Sequence, residues 1–281
     1  MFDRHLLPPN RLAVSFVCSA VILVGLIGLL MNSSPTRPTA GSTDSPVTTL
    51  YLHCAAGCRM PMNQLISAYE KRHPVRIETN WAGSDTLLNQ LEVSRRGDLY
   101  LAADETYIEQ AMQRQLVDEA FSIATQKPVI LIVKGNPKNI TTIADLARDD
   151  VFLAIGNPEL AAIGQKTRAL FEQSGHWTEI ASAVTDHGTY LPTVPEVANA
   201  VQIGSVDAGI VWNTIARQYP DLEAVRIPEL DVGLATITLG TVTHSEHPES
   251  ARQFARFLSD KQHGLRVFQE LGWGPIENGA P

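Results

Sequence analysis

Cysteine is scarce in this chain, with 3 in 281 residues, at positions 18, 54 and 58. Because Cys18 sits inside an apolar run, the one local pairing left is Cys54 with Cys58. Basic residues are also short: 22 Lys and Arg stand against 30 Asp and Glu, a formal net charge of −8. No basic block exceeds Arg95-Arg96. That excludes the electrostatic footprint of a nucleic-acid binder. It also means that any anion is held by aimed local donors, against the overall field of the molecule. His176, His187, His244, His247 and His263 show no metal-ligand spacing. Ser84 lies in Gly83-Ser84-Asp85, which is no nucleophile elbow, and no general base accompanies it. With no nucleophile–base pair, an enzyme is not expected, nor is a cofactor. No internal repeat or low-complexity tract is evident in residues 48–281.

What is present begins with a hydrophobic fraction of 44% and a charged fraction of 19%, enough for one or two domains with a real core. Arg4 and Arg11 precede an uncharged apolar run at 12–31, and a Pro/Ser/Thr-rich stretch follows at 32–46. A run of 20 residues is long enough to cross a bilayer and long for a cleaved signal. Residues 1–47 therefore read as an uncleaved anchor, or alternatively a signal segment, with a flexible linker. Either way the remainder is exported, with the positive end left inside.

From residue 48 onward strand and helix patterns alternate. Strands are expected at 48–54, 75–81, 99–102, 129–134, 152–155, 208–212, 222–227 and 236–242, and helices at 61–72, 86–95, 105–115, 143–148, 163–174, 194–203, 214–218 and 248–259, with a shorter helix at 261–271. Such βα units predict a mostly parallel sheet covered by helices.

Two strand-to-helix junctions stand out. One is Leu52-His53-Cys54-Ala55-Ala56-Gly57-Cys58, and the other is Asn80-Trp81-Ala82-Gly83-Ser84-Asp85-Thr86. In each, an extended run ends in small residues and hands over to an amphipathic helix. The first N–H groups of a helix have no intrahelical acceptor, and its start carries partial positive charge. Two such ends converging would make an anion site. Cys54 and Cys58 are read either as a local disulfide or as two small buried apolar residues. With His53, Met60 and Met62 they also suggest copper(I). Strand alternation opposes that, because it sends His53 and Cys54 to opposite faces.

Residues 48–275 resemble the molybdate-binding subunits of ABC uptake systems, which are type II periplasmic binding proteins. The resemblance rests on Cys54-Ala55-Ala56-Gly57, Ala82-Gly83-Ser84, Gly97-Asp98-Leu99-Tyr100-Leu101-Ala102-Ala103-Asp104, Gly156-Asn157-Pro158-Glu159 and Asp207-Ala208-Gly209-Ile210-Val211-Trp212. It implies a two-lobed α/β fold, with mixed, mostly parallel sheets flanked by helices and a ligand cleft between the lobes. Lobe 1 would span 48–128, completed by 235–281, and lobe 2 would span 129–234. The family holds a dehydrated tetrahedral oxyanion with backbone N–H groups and hydroxyls. By position, Gly57, Cys58, Ser84, Asp85, Ile163, Val194 and Trp212 become the candidate ligand-binding residues. Gly57 replaces a family serine, and Trp212 replaces a tyrosine, leaving an indole N–H as donor. The implied partners are a molybdate- or tungstate-type oxyanion and a membrane permease, with the protein itself a monomer.

Asp85 permits two readings. As a first-turn carboxylate it caps the helix and points away. As a proton acceptor it would select phosphate or arsenate. Arg59, just past the first junction, is either a solvated helix residue or an added positive charge. Besides a transport receptor, the replacements at Gly57 and Trp212 allow a tethered sensor or partner module that has lost molybdate binding.

Overall fold

The computed structural model describes residues 47–276. The run at 12–31, with its reading as anchor or signal, lies outside them. Among the described residues no helix is long and apolar enough to cross a membrane.

The chain enters through β1 (Thr48–Ala55), exposed on alternate residues at first and fully buried over its last four. A single 3-10 turn, Ala56–Cys58, leads into α1 (Arg59–Glu70). Met62, Leu65, Ile66 and Tyr69 of α1 are buried. Their spacing of three, four and seven defines one helix face. Burying each such side chain contributes roughly 1.5–3 kcal/mol. The pattern repeats in β2 (Val75–Ala82) and α2 (Ser84–Ser94), where Leu87, Leu88 and Leu91 face inward. β3 (Leu99–Ala102) and α3 (Glu105–Gln113) complete the run.

β4 (Val117–Gln126) then leads, through Lys127 alone, into β5 (Pro128–Val133) of a second sheet. That crossing is clamped from both sides: the Lys127 N–H donates to Asn213 Oδ1 and the Asn213 N–H to the Lys127 carbonyl, both at 2.8 Å. The second lobe follows with α4 (Ile143–Leu146), β6 (Leu153–Gly156), α5 (Ala162–Gln173), α6 (Trp177–His187), β7 (Thr189–Leu191), α7 (Val194–Gln202), β8 (Ala208–Trp212), α8 (Asn213–Ala216), β9 (Leu222–Val225) and α9 (Pro228–Asp231). The chain returns to the first sheet as β10 (Ala235–Val242), and α10 (Pro248–Ser259) and α11 (Gly264–Glu270) close the fold.

Both sheets have five strands and one plan, β2-β1-β3-β10-β4 and β7-β6-β8-β5-β9. In each, three strands run parallel, and the fourth and fifth pair antiparallel. The fourth strand is the one delivered from the other lobe, so each lobe is completed by its partner's chain. Pairing is thus half parallel and half antiparallel, because a strand arriving directly from another sheet has no βα crossover to turn it around.

Beyond the 3-10 turn and the short α9, three elements were not expected from sequence. β4 is charged near its start and sits at a sheet edge; it is held by pairing with β10 across more than 100 residues. α6 buries Ile180, Ala183 and Val184, and β7 is a three-residue edge strand.

Candidate functional site

Four helical starts meet at one chamber between the sheets. The 3-10 turn brings Ala56, Gly57 and Cys58; α2 brings Gly83 and Ser84; α5 brings Ala161, Ala162 and Ile163; and α7 brings Thr193 and Val194. Ala55, Ala82, Ala103, Gln126 and Trp212 complete the wall. The chamber is small, with about 20 Å³ open to the centre of a water-sized sphere. No carboxylate, ammonium or guanidinium lines it. Its electrostatics therefore come from backbone dipoles, which present partial positive charge at every one of these starts.

The sequence explains why the donors are free. The residues preceding α1, α2 and α5 are Cys58, Gly83 and Ala161, and none makes a side-chain cap. First-turn N–H groups at Gly57, Cys58, Ser84, Ala162, Ile163 and Val194 thus have no acceptor within their own helices. Ser84 is held on two sides. Its hydroxyl oxygen accepts from the Ala103 N–H at 3.1 Å, which leaves the hydroxyl proton to donate, and its carbonyl accepts from the Tyr100 hydroxyl at 2.7 Å.

Trp212 ends β8, is 1% exposed, and its indole N–H has no partner among the described residues. An unmade buried donor costs about 1–3 kcal/mol. An acceptor in the chamber would remove that cost.

The lobes touch where Gly83 stands. A Cβ there would fall 2.1 Å from the Leu160 carbonyl oxygen and 2.7 Å from that of Pro192, both in the second lobe. The backbone at Gly83 has φ −69°, open to any residue. Glycine is needed here for close approach alone.

Of the seven candidate residues, Gly57, Cys58, Ser84, Ile163, Val194 and Trp212 line the chamber, and Asp85 does not. The Asp85 carboxylate accepts from Asn89 Nδ2 at 2.7 Å along the same helix. Burial pushes its pKa up, partly offset by that hydrogen bond. Arg59 also stands outside the wall, exposed, with its guanidinium 4.8 Å over the Trp81 ring. Cys54 and Cys58 are free, buried thiols rather than a disulfide. Burial pushes Cys58 up to about 12 and Cys54 up as well, so both are neutral at physiological pH. Met60 is 41% exposed while Met62 is fully buried, so the soft donors around His53 do not converge.

Sequence reasoning missed Gln126 and Thr193. Gln126 ends β4, an element it did not assign; its amide donates to the Ala103 carbonyl at 2.9 Å and accepts from the Thr214 hydroxyl at 3.3 Å. Thr193 was legible, because Thr193-Val194-Pro195-Glu196 carries a capping-box spacing with proline near the helix start. A wider hollow of about 960 Å³ lies elsewhere, lined among others by Tyr51, His53, Arg95, Arg96, Asp98 and Glu246. Its charges are of both signs and its buried groups are engaged: His53 Nε2 contacts the Arg96 carbonyl, and Asp98 accepts from the Tyr51 N–H and the Ser245 hydroxyl.

This architecture recurs in solved structures. The periplasmic molybdate-binding protein of Azotobacter vinelandii superposes with TM-score 0.69 at 14% identity, covering 81% of this chain and 100% of that one. The sulfate-binding protein SubI of Mycobacterium tuberculosis H37Rv gives TM-score 0.69 at 19% identity, covering 82% and 88%. At such identities the likeness shows the fold. In sequence, the molybdate-binding protein ModA of Mycobacterium tuberculosis is 26% identical over 262 residues, covering 91% of this chain and 95% of that protein. A family model described as bacterial extracellular solute-binding protein matches residues 50–274. The family and these relatives are binding proteins, not enzymes. With most of its length matched by that model, the chain belongs to the bacterial extracellular solute-binding proteins.

Proposed function

We propose that this protein is the extracytoplasmic receptor of an ABC uptake system, that it captures a tetrahedral oxyanion of the molybdate or tungstate type in the chamber, and that it delivers the anion to a membrane permease. The observation that carries this reading is the wall itself: four helical starts, a serine hydroxyl and an orphaned indole N–H, with no charged side chain. Each hydrogen bond to a charged group contributes roughly 1.5–3 kcal/mol. Five to seven of them, less desolvation and ordering, leave about −8 to −10 kcal/mol, or micromolar affinity and better. Capture is a hinge closure around the two crossings, in which no bond is made or broken. Residues 1–47 serve as tether or export segment, and the receptor acts as a monomer.

The wall also bears on which anion is bound. Phosphate and arsenate keep a proton near neutral pH and need an acceptor for it. Asp85, the candidate acceptor, is not part of the wall, and the Gln126 carbonyl oxygen is engaged by Thr214. A chamber made of donors favours fully deprotonated dianions. The molybdate-binding relative in sequence supports molybdate among these, and tungstate follows from its matching size and charge.

The test is a thermal shift of the full chain with molybdate, tungstate, sulfate, phosphate and arsenate. A ligand at 100 times its dissociation constant stabilises the fold by about 2.7 kcal/mol. A rise with molybdate and tungstate is expected. A rise with phosphate alone would make Asp85 the selector, and no rise with any anion would replace transport by the tethered-sensor reading.

A further inference from the structure

The lobes of this protein are joined by an ion pair as well as by backbone contact. Lys166 Nζ lies 2.7 Å from Asp104 Oδ2, with the two side chains 20% and 3% exposed. Asp104 belongs to the first lobe, directly after Ala103 in the chamber wall, and Lys166 belongs to α5 of the second lobe, one turn beyond Ile163. Every other ion pair among the described residues joins groups within one lobe. The pair is held firmly at both ends. Asp104 Oδ1 caps α3, accepting from the Thr106 N–H at 3.1 Å and the Thr106 hydroxyl at 2.8 Å. Lys166 Nζ donates a further bond, at 3.4 Å, to the Leu234 carbonyl in the returning crossing.

We infer that Lys166 and Asp104 form a latch that exists only when the lobes are closed and that positions the start of α5 over the chamber. Neither residue lines the chamber, so neither touches the anion. The latch acts through α5, whose Ala162 and Ile163 N–H groups are carried by the same helix as Lys166. When the lobes part, Asp104 keeps its cap on α3 and both charges regain water. When they close, the two charges are desolvated together, and each compensates the other. Removing one partner leaves a buried charge unpaired in the closed form alone. The cost therefore falls on closure and on ligand residence, and the ligand-free open form is spared. This contact is also independent of anion chemistry, and only its ligand arm rests on the function proposed above.

The experiment uses the full chain and the variants Lys166→Met, Asp104→Asn and Lys166→Met/Asp104→Asn. Asn keeps the helix cap, because Asp and Asn are equivalent there. Molybdate binding is followed by stopped-flow tryptophan fluorescence. Thermal midpoints are recorded with and without anion. Spin-label distances are measured between Val93→Cys in one lobe and Ile203→Cys in the other, both highly exposed, with Cys18→Ser removing the remaining thiol outside the described residues. Each single variant is expected to weaken binding about tenfold, mostly by faster dissociation. The double variant is expected to be no worse than the singles, and Lys166→Arg to restore most of the affinity. Ligand-free midpoints stay unchanged, and the short inter-label distance loses population.

An unchanged dissociation constant together with unchanged distances would overturn the latch. So would a fall in the ligand-free midpoint as large as the fall with anion, since that marks a purely structural pair. If the wild type binds none of the anions, the functional reading fails by itself. The distances then decide the latch: a shorter mean in wild type than in Lys166→Met upholds it, and identical distributions refute it.

Discussion

α2 and α5 begin at Gly83 and Ala161 with no side chain to take up their first N–H groups, whereas α3 and α4 begin at Asp104 and Thr142, whose side chains do so. Asp104 accepts from Thr106, and Thr142 shares a reciprocal box with Asp145. A good cap contributes about 1 kcal/mol, so its absence at α2 and α5 costs local stability. The uncapped starts of α2 and α5 face the chamber, as does α7 with its capping box at Thr193, whereas the starts of α3 and α4 contribute nothing to its wall. The difference teaches that the first N–H groups of α2 and α5 lack a side-chain acceptor where they border the chamber, and a cap and an anion would compete for the same groups.

The largest expected effect comes from capping α2. Gly83→Ser supplies the missing oxygen but also sets a Cβ 2.1 Å from the Leu160 carbonyl oxygen. Anion affinity should fall at least about 100-fold, because second-lobe donors no longer reach the ligand. Gly83→Ala should lose the same affinity by calorimetry while melting below Gly83→Ser without anion. Equal melting of the two would show that α2 gains nothing from a cap. Ser84→Ala comes next. It removes a hydroxyl donor and strands the buried Ala103 N–H, so affinity should drop about 10- to 100-fold and stability by about 1–3 kcal/mol in denaturant titration.

Trp212→Phe should weaken binding about tenfold yet leave the ligand-free fold as stable as before, since the lost N–H was unsatisfied. A comparable loss of ligand-free stability would mean that the indole is valued for packing alone. The smallest effect is expected outside the chamber: Thr142→Ala should cost about 0.5–2 kcal/mol of stability and leave the anion dissociation constant untouched. A change in that constant would break the distinction between the two kinds of helix start.

Much of the site was legible because it is made of local features. Small residues after a strand, followed by an amphipathic helix, mark Gly57 and Ser84 as uncapped starts whatever the rest of the chain does. Ile163 and Val194 came from resemblance, since neither side chain has any chemistry to announce it; what each offers is a backbone N–H. Gln126 was hidden because β4 exists through its pairing with β10, a contact that no local pattern encodes. The state of Cys54 and Cys58 was likewise undecided until both were seen as free thiols in the core.

The sequence by itself determined the alternation of strands and helices, the amphipathic faces of α1 and α2, and the absence of side-chain caps at the starts of α2 and α5. These depend on residue types within a few positions of each other, where periodicity and backbone chemistry act directly. Only the tertiary structure decided that four helical starts converge, that Asp85 turns away to Asn89, that Gly83 fits beneath the Leu160 carbonyl, and that Lys166 reaches Asp104. Those relations join residues from separate lobes, and their distances are set by how two sheets close on each other, which local pattern does not specify.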